Sequence, residues 1–415
     1  MAAPTLDGVD SSQMAAIATG VIESHVVDSP LPLRNSGTSV ANQMRIAAGM
    51  LTFPSARRPS AGFFFLRDLQ SLAARGHLVS VIGSVSWIAG TPSTSAVSPP
   101  VSLSVHRHAS LSAFWPFRRQ LTSFHITSAI AAIRGRFEEA NDGADVTYLK
   151  FLSSVGLFRH AMASKRRVLC VGEGPESLER RFAAMGCHSL QRDLECVDAI
   201  EVRNQHMCDL LHPILPSHAE VRVVGSGVDT QFYRPGDKLG ARQRLALAPD
   251  EFVVAHVGSN IVGKGGQRVI HAVGAIPKAV CAIAGPGWRP SRSSNRLRVL
   301  GVVAPTDVRD LLHAADIFVL PSTSEGMPNA VLEALSCGVP VIVGARQYSD
   351  FLVDEYECLK VDPLDVDAIR ASILRIALDP AFAARLSAGG LAAAQRLSMA
   401  CRIDQVEQLL TGSGS

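Results

Sequence analysis

The strongest constraint on this chain is one recurring unit: a short apolar run, a turn, a stretch with apolar residues at helical spacing, a stop, and another apolar run. Arg45–Met50 is the first run, and a loop with Pro54, Arg57, Arg58 and Pro59 follows it. Phe63, Leu66, Leu69, Leu72 and Ala73 then recur at helical spacing until Gly76, and Leu78–Ile82 is the next run. Strands joined through a helix run parallel, because a tight turn cannot connect parallel neighbours, and such a sheet gathers its loops at the carboxyl edge. Strand signals return at Val146–Leu149, Val168–Val171, Ala199–Val202 and Val221–Val224, with helical patterns over 126–139 and 176–185. The stretch from Val85 to Gln120, with Pro92, Pro99, Pro100 and Pro116, reads as loops with short strands.

After the turn-rich Gly225-Ser226-Gly227-Val228-Asp229 the unit starts again. Strands are expected at Phe252–Val257, Val280–Ala284, Arg298–Val302, Asp316–Leu320 and Val339–Val343, and helices at Gly265–Ile276, Pro305–His313 and Pro328–Cys337, the last stopped by Gly338. The expected fold is therefore α/β, with two doubly wound Rossmann-like domains facing a cleft, over 44–225 and 226–395. Residues 1–43, rich in Ser, Ala, Thr, Pro and Gly without a sustained period, are expected to form a disordered leader.

Composition narrows the partners. Of 415 residues 47% are hydrophobic and 19% charged, with 40 Lys+Arg against 37 Asp+Glu, which excludes a small module or a disordered chain. A net charge of +3 with no basic run interleaved with aromatics gives no nucleic-acid footprint. The eight cysteines include no C-x-x-C pair and read as buried thiols of a cytosolic protein. Asp7 and Asp10 stand where a secretory signal needs positive charge, and no 18-residue apolar window occurs, so a cytoplasmic location is expected, peripheral to a membrane at most.

The most informative window runs from Asp316 through Glu325-Gly-Met-Pro328 and Glu333 to Pro340. It places Glu325 on the loop leaving a strand and Glu333 one to two turns into the next helix. The amides around Asn329, Ala330 and Val331 open that helix, and a helix N-terminus suits phosphate. Two carboxylates bracketing such a terminus suit hydroxyl groups on either side of a diphosphate, as in a nucleotide sugar.

The window resembles the signature of the group 1 family of retaining nucleotide-sugar glycosyltransferases with the GT-B fold, an E-G-x-P-x-x-x-x-E-A pattern that Glu325 and Glu333 match together with Pro321, Ser322, Gly326, Gly338 and Pro340. Other segments follow the family's order over about residues 44–411. Val223–Asp229 resembles its linker, and Lys360–Asp379 its final strand–helix unit. By this analogy residues 396–415 carry a last helix that crosses back onto the first domain.

The resemblance implies a nucleoside diphosphate sugar as donor, bound mostly by the second domain through Lys264, Met327, Asn329, Ala330, Val331 and Glu333. Glu325 would hold the sugar and Glu333 the ribose. No cofactor and no obligatory metal are expected, since Lys264 and the helix terminus would carry the leaving diphosphate and no D-x-D motif follows a strand. The acceptor, a sugar or a lipid-linked sugar, would meet the first domain, and bacterial surface polysaccharide or glycolipid assembly is the employment that the resemblance implies.

Three positions depart from the family, and a fourth segment stands apart from its pattern. Ser259 stands where a phosphate-gripping Arg is usual, with Arg57, Arg58 and Arg268 as substitute cations. Ser60-Ala61-Gly62 has one glycine fewer than the usual pair, and Gly62 is the one expected beside the donor phosphate. Glu173 stands in a segment where many members carry a His facing the sugar. Around Trp115, Phe114–Arg119 reads either as a buried aromatic cluster or as a membrane-surface contact. Two other functions remain open: a sugar phosphorylase or epimerase on the same architecture, and a non-catalytic scaffold or partner subunit, for which the loss at Ser259 argues.

Overall fold

The computed structural model describes residues 24–27, 43–50, 62–86, 102–108, 134–135, 137–172, 174–289, 291–294 and 296–412. Two sheets organise the chain. The first contains β1 (Ser24–Val27), β2 (Arg45–Met50), β3 (Leu78–Ser86), β4 (Ser102–His108), β5 (Val146–Lys150), β6 (Arg166–Cys170), β7 (Ala199–Val202) and β8 (Glu220–Val223), in the order β1-β4-β3-β2-β5-β6-β7-β8. All neighbours are parallel except β1, which pairs antiparallel with β4. Part of the segment expected to be disordered thus forms an edge strand, since the outer edge of β4 offers it unpaired backbone groups.

The second sheet contains β9 (Phe252–Val257), β10 (Ala279–Ala284), β11 (Ser291–Ser294), β12 (Leu297–Gly301), β13 (Ile317–Leu320), β14 (Val341–Gly344) and β15 (Leu359–Val361), in the order β11-β12-β10-β9-β13-β14-β15. Only β11 is antiparallel to its neighbour. In each sheet the chain runs outward to one side and then returns to build the other. The reversal falls between β2 and β5 in the first sheet and between β9 and β13 in the second. The strand ends at such a switch point leave an open crevice for ligands.

Helices cover both faces of each sheet. In the first domain α1 (Phe63–Ala74) packs on the β2–β3 face, while α2 (Leu152–Phe158), α3 (Pro175–Met185), α4 (Cys187–Leu194) and α5 (Gln205–Leu211) follow later strands. Phe65, Leu66, Leu69 and Leu72 form the buried stripe of α1 against Ile46, Ala48 and Tyr148. In the second domain the helices are α6 (Lys238–Arg244), α7 (Gly266–Gly274), α8 (Pro305–Ala314), α9 (Asn329–Ser336), α10 (Val366–Leu378) and α11 (Pro380–Arg396).

The chain then crosses back. Val228 pairs with Ser398, and α12 (Met399–Thr411), capped by Ser398 at 3.3 Å from the Cys401 amide, lies on α1 and β6 of the first domain. Ile403, Val406, Leu409 and Leu410 of α12 are buried in the first domain's core, and each contributes about 1.5–3 kcal/mol by leaving water. A buried charge cluster fastens it further. The Arg402 guanidinium donates to Asp68 on α1 at 2.6 and 2.8 Å, to Glu201 on β7 at 2.8 Å and to the Gly225 carbonyl at 2.7 Å. Glu201 also accepts from the Tyr148 hydroxyl at 2.6 Å and pairs with Arg203 at 3.1 Å.

Candidate functional site

The site is built from the two loops that leave β9 and β13 at the switch point of the second sheet. After β9 the chain makes a single 3-10 turn over Val262–Lys264 and enters α7 through Gly265. Gly265 has φ 76°, and a Cβ there would meet the Pro321 carbonyl oxygen at 2.5 Å, so only glycine lets the loops approach this closely. Thr323 donates its amide to the Gly263 carbonyl at 2.8 Å, and Ser322 Oγ lies 3.1 Å from the same oxygen.

This clamp brings together the two charges that the sequence places more than 60 residues apart. Lys264 Nζ donates to Glu325 Oε1 at 2.5 Å, and Ser322 Oγ donates to the same oxygen at 2.7 Å. The Lys264 and Glu325 side chains are 26% and 10% exposed, enough for a ligand to reach them and too little for water to screen them fully.

Arg268, one of the expected substitute cations, is engaged by the backbone of both loops. Its guanidinium donates to the Val262 and Pro321 carbonyls at 3.0 and 2.9 Å, bracing the two loops. Arg57 and Arg58 lie outside the described residues. Ser259 is half-buried beyond the end of β9, with its carbonyl accepting from Ile261 at 2.8 Å.

Not all three amides expected at the start of α9 are free. Val331 donates to the Pro328 carbonyl at 3.1 Å, which leaves the amides of Asn329 and Ala330 at the helix opening. Met327 lines the interdomain cavity and also reaches the linker, where its sulfur accepts the Ser226 amide at 2.9 Å. The neighbouring Gly326 carbonyl accepts from Asn204 Nδ2 of the first domain at 2.5 Å. The loop carrying Glu325 is thus held from both domains.

Glu333 lies one to two turns into α9, half-buried, with the Tyr233 hydroxyl as its hydrogen-bond partner and Arg67 of α1 acting on it through space. Burial pushes the Glu333 carboxyl up to about 7, only partly offset by Arg67 and by Tyr233. Gly62, with φ 73°, opens α1, and the Phe65 and Leu66 amides bond to its carbonyl at 3.1 and 3.2 Å. Glu173 and Trp115 lie outside the described residues.

Between the domains a cavity of 320 Å³ joins these elements. Ser324, Glu325, Gly326, Met327 and Asn329 line it from the second domain, and Phe64, Lys150, Gly172, Gly174, Glu176, Ser177, Arg180 and Arg203 from the first. Among the described residues no group of three or more His, Cys, Asp or Glu is placed to hold a metal ion, and no helix is long and apolar enough to cross a membrane.

Residues 251–379 match the family described as Glycosyl transferases group 1. The second domain belongs to that family. This group 1 domain carries the β9 and β13 loops, and with them Lys264, Glu325 and Glu333. A D-inositol 3-phosphate glycosyltransferase of Mycobacterium marinum is 34% identical over 144 residues, 31% of this chain and 30% of that enzyme. The matches to the curated relatives span 30% to 41% of their lengths.

The whole chain has the GT-B fold. Sucrose-phosphate synthase of Thermosynechococcus elongatus superposes with a TM-score of 0.71 at 19% identity, covering 89% of this chain and 99% of that one. Anabaena HepE, solved with UDP and glucose, superposes with a TM-score of 0.71 at 17% identity, covering 89% and 100%.

Proposed function

We propose that the protein is a retaining glycosyltransferase that moves a sugar from a nucleoside diphosphate sugar to an acceptor hydroxyl without an obligatory metal. The observation that carries this reading is the Lys264–Glu325 pair, fixed by Ser322 and Gly265, with Glu325 lining the interdomain cavity and the Asn329 and Ala330 amides, unpaired among the described residues, opening α9. Lys264 and the α9 terminus together offer the positive charge that a departing diphosphate needs. Glu325 would face the transferred sugar, and Glu333, beside Tyr233, the ribose.

UDP is the first nucleotide to test, because the neighbour HepE was solved with UDP and glucose. The acceptor would enter from the first domain and lose its proton with help from the leaving phosphate, while the closed cleft excludes water. The work expected of the protein is bacterial surface polysaccharide or glycolipid assembly on the cytoplasmic face of the membrane.

A second reading, a non-catalytic subunit on the same fold, draws on Ser259, which supplies no guanidinium for the diphosphate. One experiment separates the two. Calorimetric titration with UDP, followed by proton NMR of the product anomer from UDP-glucose and a panel of sugar acceptors in excess EDTA, should show micromolar to millimolar binding and a product of retained configuration. Absence of nucleotide binding would leave the scaffold reading, and an inverted anomer would overturn the retaining mechanism.

A further inference from the structure

Lys150 is the last residue of β5 and stands at the switch point of the first sheet, opposite Met50 of β2 in register. Its side chain is 6% exposed and lines the interdomain cavity. Among the described residues it has neither a hydrogen bond nor an ion pair, and its ammonium lies only over the rings of Phe65 and Phe151, at 5.5 and 5.0 Å from their centroids. A buried ammonium without a counter-charge is costly, and two aromatic faces offset only part of that cost.

Among the described residues, the charges around Lys150 leave it no carboxylate of its own. Asp68 is taken by Arg402, and Glu201 by Arg402, Arg203 and Tyr148. Cys170, pushed up to about 12 by burial, is a neutral thiol. Arg203 adds like charge, so burial and its neighbours together draw the lysine below its usual range. On the second domain's side Glu325 is engaged by Lys264 and Ser322.

Helix α3 starts beside Lys150 after Gly174, with no side-chain cap, and Gly174, Glu176 and Ser177 line the cavity; Pro175 has no N–H and the Ser177 and Leu178 amides bond the Gly174 carbonyl at 3.0 and 3.2 Å, so the Glu176 amide is the one left at its opening. Arg180, one turn on, spends its Nε on the Glu176 carbonyl at 3.1 Å and is otherwise exposed, while Glu176 is an exposed carboxylate at the rim. Phe151, next to Lys150, has φ 70°, a strained backbone for an aromatic residue.

We propose that this cavity receives an anionic group, a carboxylate or phosphate carried by one of the two substrates, and that Lys150 is its counter-charge, with the α3 terminus and Arg180 completing the cradle. The inference rests on the glycosyltransferase reading for the word substrate, but the anion site itself can be tested without nucleotide. The group would arrive on the sugar being transferred or on the acceptor, and the two sources separate in one experiment.

The full chain is titrated at low salt, by calorimetry, with glucose 6-phosphate against glucose, and separately with UDP-glucuronate against UDP-glucose. One pair should show at least a tenfold preference for its anionic member. The glucose pair would place the anion on the acceptor, the UDP-sugar pair on the donor. Lys150→Gln should abolish the preference, and Lys150→Arg should retain part of it. If wild-type protein bound both members of each pair equally, or if Lys150→Gln kept the preference, the proposal would be overturned. Failure of UDP to bind, with glucose 6-phosphate still preferred over glucose, would overturn the glycosyltransferase reading and keep the anion site.

Discussion

Lys264 and Glu325 neutralise each other across the site, so a diphosphate entering it must share a lysine already engaged. Opposite effects on nucleotide affinity follow from removing either partner. Lys264→Met deletes a charge-assisted contact worth about 1.5–3 kcal/mol and leaves Glu325 facing the incoming phosphates, so the UDP dissociation constant should rise about 10- to 100-fold. Glu325→Gln keeps the shape and releases Lys264 from a partly exposed ion pair worth about 0.2–1 kcal/mol, so UDP should bind up to about fivefold more tightly. The same substitution should lower turnover with a nucleotide-sugar donor, because the carboxylate facing the sugar is gone. Calorimetric titrations of UDP into wild type and both variants, at 20 and 300 mM salt with folding checked by circular dichroism, read the two signs. Weakening of UDP by Glu325→Gln to the extent seen with Lys264→Met would refute the competition and place the glutamate on the nucleotide.

Three other outcomes are expected. Ser259→Arg should tighten UDP several-fold by adding a guanidinium after β9, as read by the same titration; weaker binding would show that the half-buried position has no room. Arg402→Met should cost about 3–5 kcal/mol in urea unfolding, since it strands the buried Asp68 carboxylate and leaves Glu201 to Arg203 and Tyr148; a loss under 1 kcal/mol would mean that water reaches the cluster. The Glu333 carboxyl, raised above its ordinary value to about 7, favours the folded state while protonated. Its contribution is fully present below pH about 4.5 and is lost as pH rises through 7, so Glu333→Gln should flatten that part of the stability profile, and an unchanged slope would assign it to other groups.

What could be read along the chain is what lies close along the chain. Glu325 and Glu333 share one loop and one helix, so their spacing alone places them on site-forming elements, while Lys264 is marked by the family resemblance. Asn204, which holds the Gly326 carbonyl, is 122 residues away from it, and nothing local marks it beyond its role as the cap of α5. Tyr233 meets Glu333 only because the linker and α9 pack together. Lys150 did leave a signal: a lysine closing the apolar run Val146–Leu149 sits at the carboxyl end of a strand, where parallel sheets keep their ligands. Arg268 stands one turn past Lys264 with the spacing of a phosphate ligand, but Val262 and Pro321 present carbonyls to it first.

The crossing helix bears on chemistry as well as stability. Asp68, gripped by Arg402 of α12, is the neighbour of Arg67 on α1, and Arg67 is the first-domain charge that acts on Glu333 in the second. Arg402 also holds the Gly225 carbonyl, at the linker where Ser226 donates to Met327. One guanidinium therefore fixes both the helix that carries Arg67, which acts on Glu333, and the linker beside the loop of Glu325. Since both switch points open toward the same cavity, a small rotation about this linker changes the distance from Lys150 and Arg67 to Glu325 and Glu333 together. A sugar bridging the two sheets would meet charges from both domains only in the arrangement that Arg402 holds, which couples assembly of the site to the packing of the chain's last helix.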